Sequence, residues 1–244
     1  MRDIEIRTKD GTAKAAFIPP VSPGKSKAGV ILYMDAFGPR ASLYQMAERL
    51  AGRGYAVLVP DLFYRFGAYG PFDAKTAFAN EVTGTQIRKM IAGTTQEMTM
   101  RDSGAFLDAL SENGATGPVG AVGYCMGGAR ALNAAGAWPD RIVAAASFHG
   151  GNLASDAPNS PANRAASIKA KVYVGSAGVD NSFPPAQSAR LAEALREAEV
   201  DHVIENYIGM KHGWCVSDHG VFDERGAERH WKRLLEFFAE TLGG

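Results

Sequence analysis

Three residues stand where they can do covalent chemistry together. Cys125 lies in Gly123-Tyr124-Cys125-Met126-Gly127-Gly128, between an apolar run and a helix-forming stretch. Glycine, any residue, serine or cysteine, any residue, glycine is the pattern of a sharp strand-to-helix turn that presents a nucleophile. Glycine suits positions 123 and 127 because strand and helix approach closely there, and the nucleophile's own backbone is strained. A helix N-terminus beside the sulfur favours a thiolate, and the amide of Met126 points toward a developing oxyanion. The plain alternative is a buried, inert cysteine in a glycine-rich turn, a common fate for free cysteine.

A cysteine nucleophile needs a base and a group that orients it, in the chain order nucleophile, acid, histidine. Asp180 is the only carboxylate between the apolar run 170–176 and the helix expected from Pro185; its plain role is that of a turn residue. His212 follows the run 201–208 in Gly209-Met210-Lys211-His212-Gly213, and its plain role is a solvated loop histidine. Cys125 would attack a carbonyl, His212 would carry protons, and Asp180 would orient the imidazole. Of the other histidines, His202 begins a strand at the far end of the sheet. His230 reads as the polar face of the last helix. His219 lies further along the His212 loop, and His149 follows a strand and is expected to line the pocket.

The elements that must hold these residues are legible as alternating patterns. Residues 3–8 and 12–18 alternate polar and apolar around Lys9-Asp10-Gly11, an antiparallel hairpin signal. A polar, proline-rich connection (19–27) follows. Apolar runs at 28–34, 55–60, 118–123, 141–148, 170–176 and 201–208 read as strands, most of them buried on both faces. Helical spacing appears at 43–51, 94–112, 126–137, 185–198 and from Ala227 to Leu242. Residues 61–93, rich in aromatics and glycine, give no clear period and are expected to form a lid. Alternating strands and helices predict an α/β fold with a mostly parallel sheet covered on both faces, in one domain spanning 1–244. Sites in such sheets gather beyond the carboxyl ends of the strands, where all three residues fall.

With these residues in place, the sequence resembles the dienelactone hydrolase family, a cysteine branch of the α/β-hydrolase fold. Gly123 to Gly128, Asp180 and His212-Gly213-Trp214 carry the resemblance, supported by Asp35-Ala36-Phe37-Gly38 and Val59-Pro60-Asp61-Leu62-Phe63. It implies that the amide of Ala36 is the second oxyanion donor. It also implies an acid at position 35, usually glutamate, that interacts with the resting thiol and modulates it; Asp35 is one methylene shorter. Family members acting on dienelactone hold its carboxylate with arginines, one shortly after the histidine. Residues 213–217 contain none, so the expected substrate is another carboxylic ester or lactone, with Arg65, Arg88, Arg101 and Arg130 as candidates from elsewhere. Phe37, Tyr64, Phe148, His149 and Trp214 are candidate pocket residues, beside Phe63, Phe66 and Tyr69.

Composition narrows the alternatives. With 26 basic and 26 acidic side chains the formal net charge is zero, unlike a nucleic-acid binder. Two cysteines exclude a disulfide scaffold. No apolar run approaches the ~18 residues of a membrane span, and the start lacks a signal-peptide core, so no membrane partner and a cytoplasmic location are expected. No metal-ligand spacing, P-loop or dinucleotide fingerprint occurs, so no metal or cofactor is expected. Two competing readings remain: a non-catalytic binding module built on the same fold, and a redox thiol resolved by Cys215.

Overall fold

The computed structural model describes residues 1–22 and 27–243. Four residues of the expected 19–27 connection, 23–26, lie outside the described residues. Eight strands form one sheet in the order β1-β2-β4-β3-β5-β6-β7-β8. β1 (Arg2–Thr8) and β2 (Gly11–Ile18) pair antiparallel across the Lys9-Asp10 turn, and β2 pairs antiparallel with β4 (Ala56–Pro60). From there β4, β3 (Gly29–Tyr33), β5 (Val119–Tyr124), β6 (Ile142–Phe148), β7 (Lys171–Val179) and β8 (His202–Lys211) run parallel. The central strands β3, β4 and β5 are buried at every residue, which is why they read as unbroken apolar runs.

The period-two alternation of β5 shows that both faces are covered. A Cβ at Gly120 would meet Phe238 and Leu242 at 3.0 Å, beyond the core of α6 (Glu224–Phe238). One at Gly123, on the opposite face, would run into the backbone of Gly127 in α4 (Met126–Ala137). Tyr33, level with Gly123 on β3, bonds Ser103 of α3 (Gln96–Glu112) at 2.6 Å, so α3 lies on the α4 side. On the other side, α1 (Ala41–Ala51) joins α6 through a forked Arg49–Glu228 pair.

Two expectations change. The region 61–93 contains α2 (Glu81–Gly93), capped by Asn80, whose side chain accepts the Thr83 amide at 3.0 Å. Its buried residues are only Gly84, Ile87 and Met90 among threonines and a glycine, too thin a stripe for helical spacing to announce it. β7 and β8 each run three residues further than expected. Gly178 and Gly209 look like turn signals, yet a Cβ at Gly178 would sit 2.7 Å from the Tyr207 carbonyl oxygen and 2.9 Å from the Gly209 amide nitrogen. Glycine there lets a bulged pair continue to Val179 opposite Lys211. α5 (Pro185–Glu197) then crosses back to β8. No helix among the described residues is long and apolar enough to cross a membrane.

Candidate active site

The register of β7 and β8 brings acid and base together. Val179 opposes Lys211, so Asp180 and His212, one residue further on, leave the sheet side by side. Nδ1 of His212 donates to Oδ2 of Asp180 at 2.7 Å. The other carboxylate oxygen, Oδ1, accepts both the amide (2.8 Å) and the hydroxyl (2.6 Å) of Ser182, whose oxygen also lies 3.3 Å from Nδ1 of His212. Asp180 is therefore a turn residue and the histidine's partner at once. Ser182, which the sequence reading did not single out, fixes the carboxylate; its signal was the Asp-x-Ser turn pattern.

Cys125 occupies the turn between β5 and α4 with φ +55° and ψ −120°, a strained conformation for a side-chain-bearing residue. The glycines explain how the chain tolerates it. A Cβ at Gly127 would lie 2.6 Å from the Met34 carbonyl oxygen, and one at Gly128 would lie 2.7 Å from Cα of Gly150. The amides around the sulfur are unequally used. That of Cys125 donates to the Phe148 carbonyl (3.2 Å) and to Nδ1 of His149 (3.1 Å). Phe37 donates to Asp35 Oδ1, and Gly38 to the Asp35 carbonyl. Among the described residues, no acceptor within the chain takes the amides of Met126 or Ala36.

Electrostatics follow from burial and partners. Burial opposes a charge on His212, but its hydrogen bond to Asp180 and the nearby Cys125 sulfur outweigh that and raise its pKa to about 10. Asp180 is likewise opposed by burial yet held below the usual carboxylate range, chiefly by His212 and Ser182. His149 is fully buried, packs edge-on to His212 (4.9 Å between ring centroids) and to Trp214 (5.3 Å), and is pushed well below the usual range by burial and by the neighbouring histidines.

The remaining candidates divide. Ala36 and Phe37 join Ala77 and Ile87, from the 61–93 segment, in a small apolar cluster against which Cys125 and Met126 pack. His149 packs on His212, and Trp214 packs on His149. Phe148 belongs instead to the core on the α6 side, stacked on Tyr124 and 4.2 Å from the His230 ring, because strand alternation turns it away from the site. Tyr64 is also displaced: its hydroxyl bonds Thr8 and Asp102, and its ring lines a cavity of ≈ 930 Å³ between the N-terminal hairpin and residues 67–72, which Cys125 and His212 do not border. His230 is not on a polar face; it is fully buried and bonds the Tyr124 hydroxyl at 2.9 Å.

Asp35 has no exposed surface and is bonded by Arg40 and His219 rather than by the thiol. No local pattern marks Arg40 or Asp218 for this arrangement, since the pairing spans 178 residues. Among the arginines that are candidates for a substrate carboxylate, Arg65 and Arg101 are tied to Asp10. Arg88 is exposed beside Thr85, and Arg130 is buried against the Thr94 carbonyl with its pKa lowered by burial to about 10. Cys215 is a buried free thiol, pushed up by burial, which suits an inert residue better than a resolving one.

A parallel sheet extended by an antiparallel hairpin, helices on both faces, and a strained residue at a strand-to-helix turn define the α/β-hydrolase fold. Solved structures agree. A "Putative Dienelactone Hydrolase" from Klebsiella pneumoniae superposes with a TM-score of 0.83 at 22% identity, covering 98% of each chain. A dienelactone hydrolase-like promiscuous phosphotriesterase from metagenomic libraries gives 0.77 at 24% identity, covering 98% of this chain and 97% of its own. The sequence model of the dienelactone hydrolase family matches residues 14–242, and the chain belongs to that family. A "Putative carboxymethylenebutenolidase" of Synechocystis sp. is 25% identical over 226 residues, 91% of this chain and 89% of its own. The protein is thus a hydrolase of the ester or lactone type.

Proposed function

We propose that the protein hydrolyses an uncharged carboxylic ester or lactone, other than dienelactone, through a Cys125-His212-Asp180 triad and an acyl-thioester. The observation that carries this reading is the strained Cys125 at the start of α4, with the unpaired Met126 amide beside it and the His212–Asp180 pair within reach.

With Nδ1–H committed to Asp180, Nε2 of His212 takes the Cys125 proton. The sulfur attacks the carbonyl carbon, and the electron pair moves to oxygen. That oxyanion accepts hydrogen bonds from the amides of Met126 and Ala36. Collapse re-forms the carbonyl and breaks the bond to the alkoxy oxygen, which takes the proton from His212 and leaves as the alcohol. In a lactone it stays tethered. Water then gives a proton to His212 and attacks the thioester carbonyl. Its collapse releases the acid, and the sulfur recovers its proton from His212. The apolar cluster of Ala36, Phe37, Ala77 and Ile87 against which Cys125 packs suits a neutral substrate.

The test is hydrolysis of p-nitrophenyl acetate and of dihydrocoumarin, with mass spectrometry of the quenched protein. Turnover with an acyl adduct on Cys125, both absent in a folded Cys125→Ala protein, is the expected result. Turnover that survives Cys125→Ala sinks the cysteine mechanism. A wild-type protein inert on a broad ester and lactone panel favours the binding-module alternative.

A further inference from the structure

We propose that Asp35, gripped by Arg40 and His219, is a positioning residue that clamps the loop bearing the Ala36 amide to the loop bearing His212, and that it takes no part in charging the Cys125 thiol. The proposal rests on reading Cys125 as the nucleophile and Ala36 as an oxyanion donor.

The carboxylate's capacity is the first argument. Oδ1 accepts the Phe37 amide at 3.0 Å and Nη1 of Arg40 at 2.7 Å. Oδ2 accepts Nη2 of Arg40 at 2.9 Å and Nε2–H of His219 at 3.0 Å. A carboxylate offers about four acceptor sites, and four donors fill them. With no exposed surface and no free lone pair, Asp35 has nothing left to offer a thiol.

What the clamp joins is the second argument. Arg40 uses one edge on Asp35 and the Nε edge on Asp218, at 2.6 and 2.8 Å, and also bonds the Gly38 carbonyl at 3.1 Å. One guanidinium thus ties residues 35–40 to 218–219. With both forks filled, it is not free for a substrate carboxylate. His219 closes the link. Phe37 meets its ring edge-on at 5.3 Å, and Gly213, with φ +100°, packs so tightly on that ring that a Cβ would lie 3.1 Å from Cε1. The path Ala36-Phe37, His219, Gly213-His212 therefore runs through direct contacts from the oxyanion amide to the base. An oxyanion donor acts only within a narrow distance of the developing charge, and a shift of ~1 Å costs on the order of 10²-fold in rate. Loosening the clamp should therefore lower kcat and leave binding nearly untouched.

The experiment compares wild type, Asp35→Asn, His219→Ala and His219→Gln in p-nitrophenyl acetate turnover. It also measures iodoacetamide alkylation of Cys125 from about pH 5 to about pH 9, and amide hydrogen exchange. His219→Ala should lower kcat about tenfold or more with KM within about twofold, and His219→Gln, whose side-chain N–H can reach Asp35, should recover most of it. The pH dependence of alkylation should not move in any variant. Exchange should rise together in residues 35–40 and 212–219 of His219→Ala. A shifted alkylation profile in Asp35→Asn or His219→Ala overturns the proposal in favour of a thiol partner, and unchanged kcat or unchanged exchange in His219→Ala overturns the clamp. If wild type turns over no ester, the triad reading fails by itself, and the exchange measurement alone decides the clamp.

Discussion

The imidazole of His149 accepts the backbone N–H of Cys125 on Nδ1 at 3.1 Å. A ring nitrogen that accepts carries no proton, so His149 is the neutral Nε2–H tautomer, in keeping with the depression of its pKa by burial. The ring supports the strained turn from behind and packs on the edge of His212, so one side chain touches both proposed partners of the reaction.

That relationship gives a first prediction. His149→Phe keeps the ring's shape and leaves the Cys125 amide its second acceptor, the Phe148 carbonyl. The protein should fold and lose about 1 kcal/mol in urea unfolding. The pH dependence of ester hydrolysis should keep its wild-type midpoints, because a permanently neutral ring does not titrate. A midpoint that moves would assign His149 a proton-carrying role.

Asp180 holds His212 in the tautomer that leaves Nε2 free. Asp180→Asn should keep the fold but lower kcat by roughly 10³–10⁴, as loss of the orienting carboxylate does in serine triads. Ser182→Ala removes the 2.6 Å hydroxyl bond and the longer approach to His212 Nδ1 but keeps the amide bond to Asp180, so a drop of about tenfold or less is expected. Steady-state kinetics on one ester orders the two. Equal losses would mean that Ser182, not Asp180, sets the histidine.

Stability should depend on pH at both ends, for opposite reasons. His212 is raised to about 10 in the folded chain, above its unfolded value of about 6.5. Its contribution is complete below about 6.5 and disappears as pH rises toward about 10. His230 is lowered by burial to about 3, so its contribution is present above about 6.5 and disappears as pH falls toward about 3. Urea midpoints across this range should show His212→Gln flattening the alkaline fall and His230→Gln flattening part of the acid fall. His149, depressed the same way, accounts for more of the acid limb. If each variant flattens the other limb, both assignments are wrong.

Gly127→Ala should be among the most damaging single-methyl changes in the chain. Its Cβ would press on the Tyr33 and Met34 carbonyls at the end of β3, where neither backbone has room to move. A loss of more than about 4 kcal/mol, or failure to accumulate folded protein, is expected. Gly114→Ala is the control: nothing lies within 4 Å of its Cβ, and only its φ of +95° opposes the change. Thermal melts of both proteins make the comparison, and similar losses would mean that crowding at the elbow is not what requires glycine.

The parts of the fold that repeat a simple period were legible in the residues. Buried strands announce themselves as apolar runs, and the helix Met126–Ala137 is legible because the elbow glycines fix about where it must start. The triad candidates were legible because chain order and strand ends constrain them. Contacts between distant loops were not. Nothing local links Asp35 to Asp218 and His219, and a charged residue in a loop looks the same whether solvated or gripped by a partly buried guanidinium. His230 was misread for a related reason: a polar residue on an amphipathic helix reads as solvent-facing unless the Tyr124 hydroxyl that receives it is known.

The crowding around Gly123, Gly127 and Gly128 separates the mount from what is mounted. The contacts that enforce the sharp turn come from the glycines on either side of position 125 and from the backbone of Cys125, and none needs the sulfur. Such a turn holds whichever short side chain occupies its apex at the same height above the sheet. Exchange of thiol for hydroxyl at that apex is therefore a change of reagent on an unaltered instrument.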